Sequence, residues 1–127
     1  MLQDLFAGAV LDAKAREELV ALSDIEKLAL DAPEAIKPHS YLLSKSHISV
    51  IAEIKRASPS RGFMATIENP GELARTYEAA GAGAVSVLTE SRQFGGSLQD
   101  LEQVRSCVTV PVSVSYTHLT LPTIYSV

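Results

Sequence analysis

The spacing of apolar residues along the chain changes near residue 48. Before that point, apolar side chains recur every three or four positions, as in amphipathic helices, and they predict a first helix over 2–22. Ser23, followed three residues later by a glutamate, has the form of a capping box and predicts a second, shorter helix over 23–30. Two prolines then interrupt the pattern, so 33–47 is predicted to be a mostly irregular connector.

After residue 48 the pattern alternates between short apolar strands and amphipathic helices. Asn69 and Ser97 each stand where a helix N-cap is expected, and Gly81 is placed to end the first of the two helices. Strands joined by helices of this length form βαβ units, so the predicted fold class is α/β with a parallel sheet. The pattern does not decide whether the sheet closes into a barrel. The predicted strands span 48–55, 84–89 and 110–114.

The first predicted strand carries two opposite charges at its carboxyl end. Residues i and i+2 share a face of a strand, so Val50, Ala52 and Ile54 form an apolar face and the other face ends in Glu53 and Lys55. The carboxyl ends of parallel strands are where ligands bind in α/β folds. A carboxylate beside an ammonium group keeps both charged, which leaves the lysine able to bind an anion or donate a proton. A rim salt bridge without any other role explains the placement equally well.

Composition narrows the class of protein. With 46% hydrophobic residues and a net charge of −4, the chain is not expected to bind nucleic acid or a membrane surface. It contains no apolar run of the roughly 18 residues needed to span a bilayer. The N-terminus has no basic stretch before its apolar residues, so no signal peptide is predicted. The single cysteine, Cys107, excludes an internal disulfide and suits a reducing cytoplasm.

Other candidate sites are weaker. The three histidines, His39, His47 and His118, show no metal-ligand spacing and are interpreted as ordinary polar residues. Cys107 near a predicted helix end is interpreted as a small buried hydrophobe. The run from Gly95 to Ser97 could cradle a phosphate at a helix N-terminus, although a tight loop followed by a serine cap is the preferred interpretation.

Two segments together resemble a known family. The run "VIAEIKRASPSRG" over 50–62 and the run "SVLTESRQFGGS" over 86–97 resemble the signature of the indole-3-glycerol-phosphate synthase family. The resemblance covers about residues 1–112. It implies the N-terminal part of a (β/α)8 TIM barrel, with a helical extension and connector over 1–47 and the first βα units over 48–112.

The resemblance also implies a reaction and roles for five residues. The reaction converts carboxyphenylamino-deoxyribulose phosphate into indole-3-glycerol phosphate by ring closure, decarboxylation and dehydration. Lys55 would contact anionic groups and assist acid catalysis, and Glu53 would orient the lysine and the substrate amine. Ser58 would lie close to the substrate carboxylate, and Pro59 and Phe94 would form an apolar wall around the aromatic ring. No metal or organic cofactor is implied. The implied location is cytoplasmic, and association with other tryptophan-pathway enzymes is allowed.

The resemblance ends after Val112. All charged residues lie at or before Arg105, and the uncharged segment 113–127 is predicted to be a non-native tail. The family's catalytic lysine is expected at position 115, where the chain has Ser115. A chain truncated in or after the third strand is therefore expected, and the chain as given is predicted to be inactive. The alternatives are a non-catalytic fragment that binds a partner, and a related phosphate-binding barrel such as phosphoribosylanthranilate isomerase. The E-x-K-x-x-S-P-S motif speaks against the isomerase.

Overall fold

The N-terminal part of the chain is helical. A computed structural model describes residues 2–43 and 47–115, and the chain divides into two compact units, Met1–Glu34 and Ala35–Val127. The first unit contains helix α1 (Leu2–Leu19) and helix α2 (Leu22–Asp31). The two helices predicted from the apolar spacing are therefore present, although the first one ends three residues earlier than predicted.

The predicted serine cap of the second helix is wrong. The N-cap residue of α2 is Ala21, which has an extended backbone and makes no side-chain capping bond. The N–H groups of Asp24 and Ile25 donate to the Ala21 carbonyl at 2.9 and 3.2 Å. The helix thus begins before Ser23, which lies within the first turn and does not occupy the capping position.

The second unit alternates strands and helices, as the sequence pattern predicts. Its elements are α3 (His39–Leu42), β1 (Ile51–Ile54), β2 (Ala57–Ser58), β3 (Gly62–Phe63), α4 (Pro70–Ala79), β4 (Ala84–Leu88), α5 (Leu98–Cys107) and β5 (Val112–Ser115). Strands β1, β4 and β5 form a parallel sheet in that order, and β2 pairs with β3 in a separate antiparallel hairpin. The unit is therefore mixed α/β with a parallel sheet.

Both predicted helix caps in this unit are confirmed. The Asn69 side chain accepts a hydrogen bond from the Glu72 N–H at 3.1 Å, and the Ser97 hydroxyl accepts one from the Asp100 N–H at 3.1 Å. Caps of this type stabilise a helix by about 1 kcal/mol. Gly81 follows α4 with a φ of 94°, a left-handed conformation that glycine adopts without steric cost.

The core lies between one face of the sheet and helices α4 and α5. Ile54 and Val87 are register partners on this face, and the fully buried Ala74 and Val104 come from the two helices. The predicted apolar face of the first strand is only partly buried. Val50 is 52% exposed and precedes the first residue of β1.

One carboxylate fastens the end of α4 to the segment before β5. Oε1 of Glu78 accepts hydrogen bonds from the Thr109 N–H at 2.8 Å, the Thr109 hydroxyl at 2.6 Å and the Val110 N–H at 3.1 Å. The hydrogen bonds from Thr109, its hydroxyl first, lower the pKa of Glu78, with smaller contributions from the Val110 N–H and the charge of Arg105. The native state therefore favours the ionised form of this side chain.

Glu78→Gln is expected to lower the free energy of unfolding at pH 7 by about 1 kcal/mol, because glutamine lacks the charge that strengthens the three hydrogen bonds. A carboxyl pKa that folding lowers stabilises the protein above the ordinary value of 4.5, and this contribution disappears as the pH falls through the native value. Denaturant unfolding of the full chain at pH 7 and at lower pH measures the difference. The exposed Glu102→Gln is the control. An equal loss at both pH values would contradict a contribution from the charge of Glu78.

Candidate functional site

Glu53 and Lys55 form an ion pair at the carboxyl end of β1. Nζ of Lys55 donates a hydrogen bond to Oε1 of Glu53 at 2.5 Å. The Lys55 side chain is 29% exposed and that of Glu53 is 41% exposed, so both charged groups are reachable from solvent. The two charges lie close together, as predicted, and an anionic molecule can reach them from solvent without any opening of the core.

The segment after this pair forms a short hairpin. Ser58 ends β2, Pro59 lies in the turn, and the Arg61 N–H donates to the Ser58 carbonyl at 3.3 Å. Gly62 begins β3 with a φ of 66°, which favours glycine at that position. The Oγ atoms of Ser58 and Ser60 lie 3.5 Å apart. Strands of two residues are too short to show an alternating pattern, which is why the sequence indicated only a loop here.

The loop after β4 lies against this hairpin and carries Phe94. The Ala57 N–H donates to the Phe94 carbonyl at 3.1 Å, which joins the two segments through their backbones. Phe94 is partly buried. A Cβ atom on Gly96 would overlap the carbonyl oxygen of Leu88, so the loop can approach the strand this closely only with glycine there. Lys55, Ser58, Pro59 and Phe94 thus belong to segments that meet at one edge of the sheet.

Arg56 connects the same edge to the first turn of α5. Its guanidinium binds the Asp100 carboxylate in a bidentate manner, at 2.6 Å from Nη1 to Oδ2 and 3.0 Å from Nη2 to Oδ1. Nη2 also donates to the Ile67 carbonyl at 2.8 Å. The side chains of Arg56 and Asp100 are 22% and 11% exposed. Sequence reasoning missed this pair, for which the one available signal was an acidic residue in the first turn of a predicted helix.

A row of polar side chains crosses the other face of the sheet. Glu53, Ser86 and Ser113 are register partners on three neighbouring strands, so their side chains share that face. The hydroxyls of Ser86 and Ser115 lie 2.6 Å apart. Ser113 to Ser115 therefore belong to β5, while the rest of the predicted tail, 116–127, lies outside the described residues.

The structure supports no chemical role for those of the weaker candidates that it describes. The Ser97 hydroxyl caps α5, in agreement with the interpretation of that segment as a tight loop with a cap. Cys107 is half-buried and packs against the core. Within 2–43 and 47–115, no group of three or more histidine, cysteine or acidic side chains is arranged to hold a metal ion, and no helix is both long and apolar enough to cross a bilayer. His118 lies outside the described residues.

Fold and site together define an α/β protein with charged and hydroxyl side chains at the carboxyl edge of a parallel sheet. Residues 2–115 match the family model described as "Indole-3-glycerol phosphate synthase". The chain therefore belongs to the indole-3-glycerol phosphate synthase family. This confirms the resemblance, and the match extends three residues beyond the predicted limit at Val112.

Curated relatives carry the same name. The indole-3-glycerol phosphate synthase of Nocardioides sp. is 48% identical over 114 residues, which cover 88% of this chain and 43% of the relative. Those of Mycolicibacterium vanbaalenii and Leifsonia xyli are 47% and 49% identical over 112 residues, covering 88% of this chain and 41% and 43% of the relatives. The chain thus spans about two fifths of the length of these relatives.

Asp100→Asn is expected to lower the free energy of unfolding by about 2 kcal/mol, because it leaves the partly buried Arg56 guanidinium without its countercharge. Denaturant unfolding of the full chain measures this loss. Asp24→Asn is the matched control, since its pair with Lys27 is 59% and 73% exposed and such pairs contribute less than about 1 kcal/mol. Equal losses in the two variants would contradict a special role for the bidentate pair.

Proposed function

We propose that the chain supplies the first part of a (β/α)8 barrel that makes indole-3-glycerol phosphate from carboxyphenylamino-deoxyribulose phosphate. In this proposal, 1–47 form a helical extension and connector, 48–112 form the first βα units, and 113–127 are a non-native tail. The parallel order of β1, β4 and β5 is compatible with such a barrel. The observation that carries the proposal is the Glu53–Lys55 pair at the carboxyl edge of that sheet.

Lys55 is proposed to bind anionic groups of the substrate and to assist acid catalysis. The substrate carries a carboxylate and a phosphate, and the reaction requires protonation of a carbonyl oxygen and loss of water. A partly exposed ammonium group can attract the anions and donate a proton at the reacting centre. Glu53, at 2.5 Å, holds that ammonium group and is proposed to orient the substrate amine as well.

Ser58, Pro59 and Phe94 are proposed to surround the aromatic part of the substrate. The Ser58 hydroxyl can donate to the substrate carboxylate, and Pro59 and the Phe94 ring offer apolar surface for the phenyl group. The hydrogen bond between the Ala57 N–H and the Phe94 carbonyl supports this grouping, because it keeps the hairpin and the loop together.

Further groups are needed to complete this chemistry. Ser115 is neutral and a very weak acid, so it does not replace a catalytic lysine. We propose that the remaining acid, the base and the phosphate site belong to barrel segments that the relatives have beyond the matched part. A cytoplasmic location and association with other enzymes of the tryptophan pathway stay predictions.

A chimera tests the function directly. Residues 2–112 of this chain replace the segment that they match in the Nocardioides enzyme, and formation of indole-3-glycerol phosphate is measured. We expect an active chimera in which Lys55→Ala lowers kcat/KM by about 100-fold or more, the size of a typical general acid contribution. Lys27→Ala is the matched control, because this lysine also pairs with a carboxylate, at 3.2 Å, but on the exposed face of α2. Equal losses in the two variants would contradict the proposed catalytic role of Lys55.

A further inference from the structure

A single carboxylate organises the loop that follows β4. Oε1 of Glu90 accepts a hydrogen bond from the Arg92 N–H at 2.8 Å, and Oε2 accepts two, from the Gln93 N–H at 2.7 Å and the Phe94 N–H at 3.2 Å. The Glu90 carbonyl also accepts from the Gly96 N–H at 2.9 Å. Glu90 therefore closes the loop at both its side chain and its backbone.

The arrangement requires both oxygens of a carboxylate. Three N–H groups point at one side chain, and a carboxylate offers acceptor sites on each of its two oxygens. Glutamine has the same shape, but its amide nitrogen carries only donors and would face an N–H group. Glu90→Gln is therefore expected to release at least one side of the loop, even though the volume of the side chain is unchanged.

The loop connects Glu90 to the candidate site through Phe94. The Phe94 N–H is bound by Glu90, and the Phe94 carbonyl accepts the hydrogen bond from Ala57 at the start of the hairpin. The N–H and the carbonyl group of Phe94 are thus both hydrogen-bonded, which fixes the orientation of its Cα–Cβ bond and so the direction of the ring.

We infer that Glu90 is a positioning residue, which presents the Phe94 ring to the aromatic part of the substrate by binding three consecutive N–H groups of the loop. The inference rests on the proposed function for its substrate, but its geometry can be tested without that function. In this proposal the Phe94 side chain takes no part in bond making or breaking, and it packs against the phenyl group in the ground state and the transition state alike. Loss of Glu90 therefore raises KM and leaves kcat nearly unchanged.

The first arm of the test uses the full chain and needs no activity. The sequence contains no tryptophan, so Phe94→Trp places a single fluorescent reporter in the loop. Adding Glu90→Gln or Glu90→Ala is expected to raise the acrylamide quenching constant about twofold, because fewer hydrogen bonds then hold the loop and it opens more often. Glu102→Gln, the same change on the exposed side of α5, should leave quenching unchanged. Equal quenching with and without Glu90, in variants with unchanged far-UV circular dichroism, would overturn the inference.

The second arm uses the chimera with Phe94 intact. Glu90→Gln is expected to raise KM about tenfold while kcat changes less than about threefold, whereas Glu102→Gln alters neither. A fall in kcat at constant KM would overturn the positioning role. If the unsubstituted chimera makes no indole-3-glycerol phosphate, the proposed function fails, and the quenching result alone decides whether Glu90 positions the ring.

Discussion

The bidentate ion pair between Arg56 and Asp100 determines how the chain leaves the sheet. Arg56 lies between Lys55, which faces the candidate site, and Ala57, which opens the hairpin. Anchoring its guanidinium to α5 and to the Ile67 carbonyl therefore fixes both neighbours. Two parallel hydrogen bonds from a planar guanidinium specify direction as well as distance, which a lysine at this position could not do. Together with the hydrogen bond from the Ala57 N–H to the Phe94 carbonyl, this contact places the hairpin beside the Phe94 loop.

The two faces of the sheet carry different side chains: one face packs against the helices, and the other carries polar groups. Ile54, Val85 and Val87 point toward α4 and α5 and are buried there. Alternate residues of the same strands, among them Glu53 and Ser86, point the other way and present charged and hydroxyl groups. Substitution of Glu53, which is 41% exposed, can therefore change the charge on this face without disturbing the packing that holds the sheet to its helices, whereas Ser86 is itself buried.

Most of the fold could be predicted from the sequence because its signals are local. The caps at Asn69 and Ser97 act within one helical turn, and the strands repeat every two residues. The cap predicted at Ser23 is wrong, because the extended residue Ala21 is the N-cap and the helix begins at Leu22. For the candidate site, the sequence predicted that Glu53 and Lys55 lie close together. The pair of Arg56 and Asp100 was not predicted, because no periodic pattern in the sequence connects residues 44 positions apart.

The Glu90 carboxylate binds three main-chain N–H groups of the loop that it closes. Every amino acid except proline carries such a group, so the loop can keep its shape while its side chains change. Gly95 and Gly96 are exceptions, because Gly95 has a φ of 66°, which favours glycine, and at Gly96 the Leu88 carbonyl leaves no room for a Cβ atom. Substitutions at 92 and 93 can therefore leave the backbone of the loop in place, provided that proline is avoided from 92 to 94 and that glycine is retained at 95 and 96.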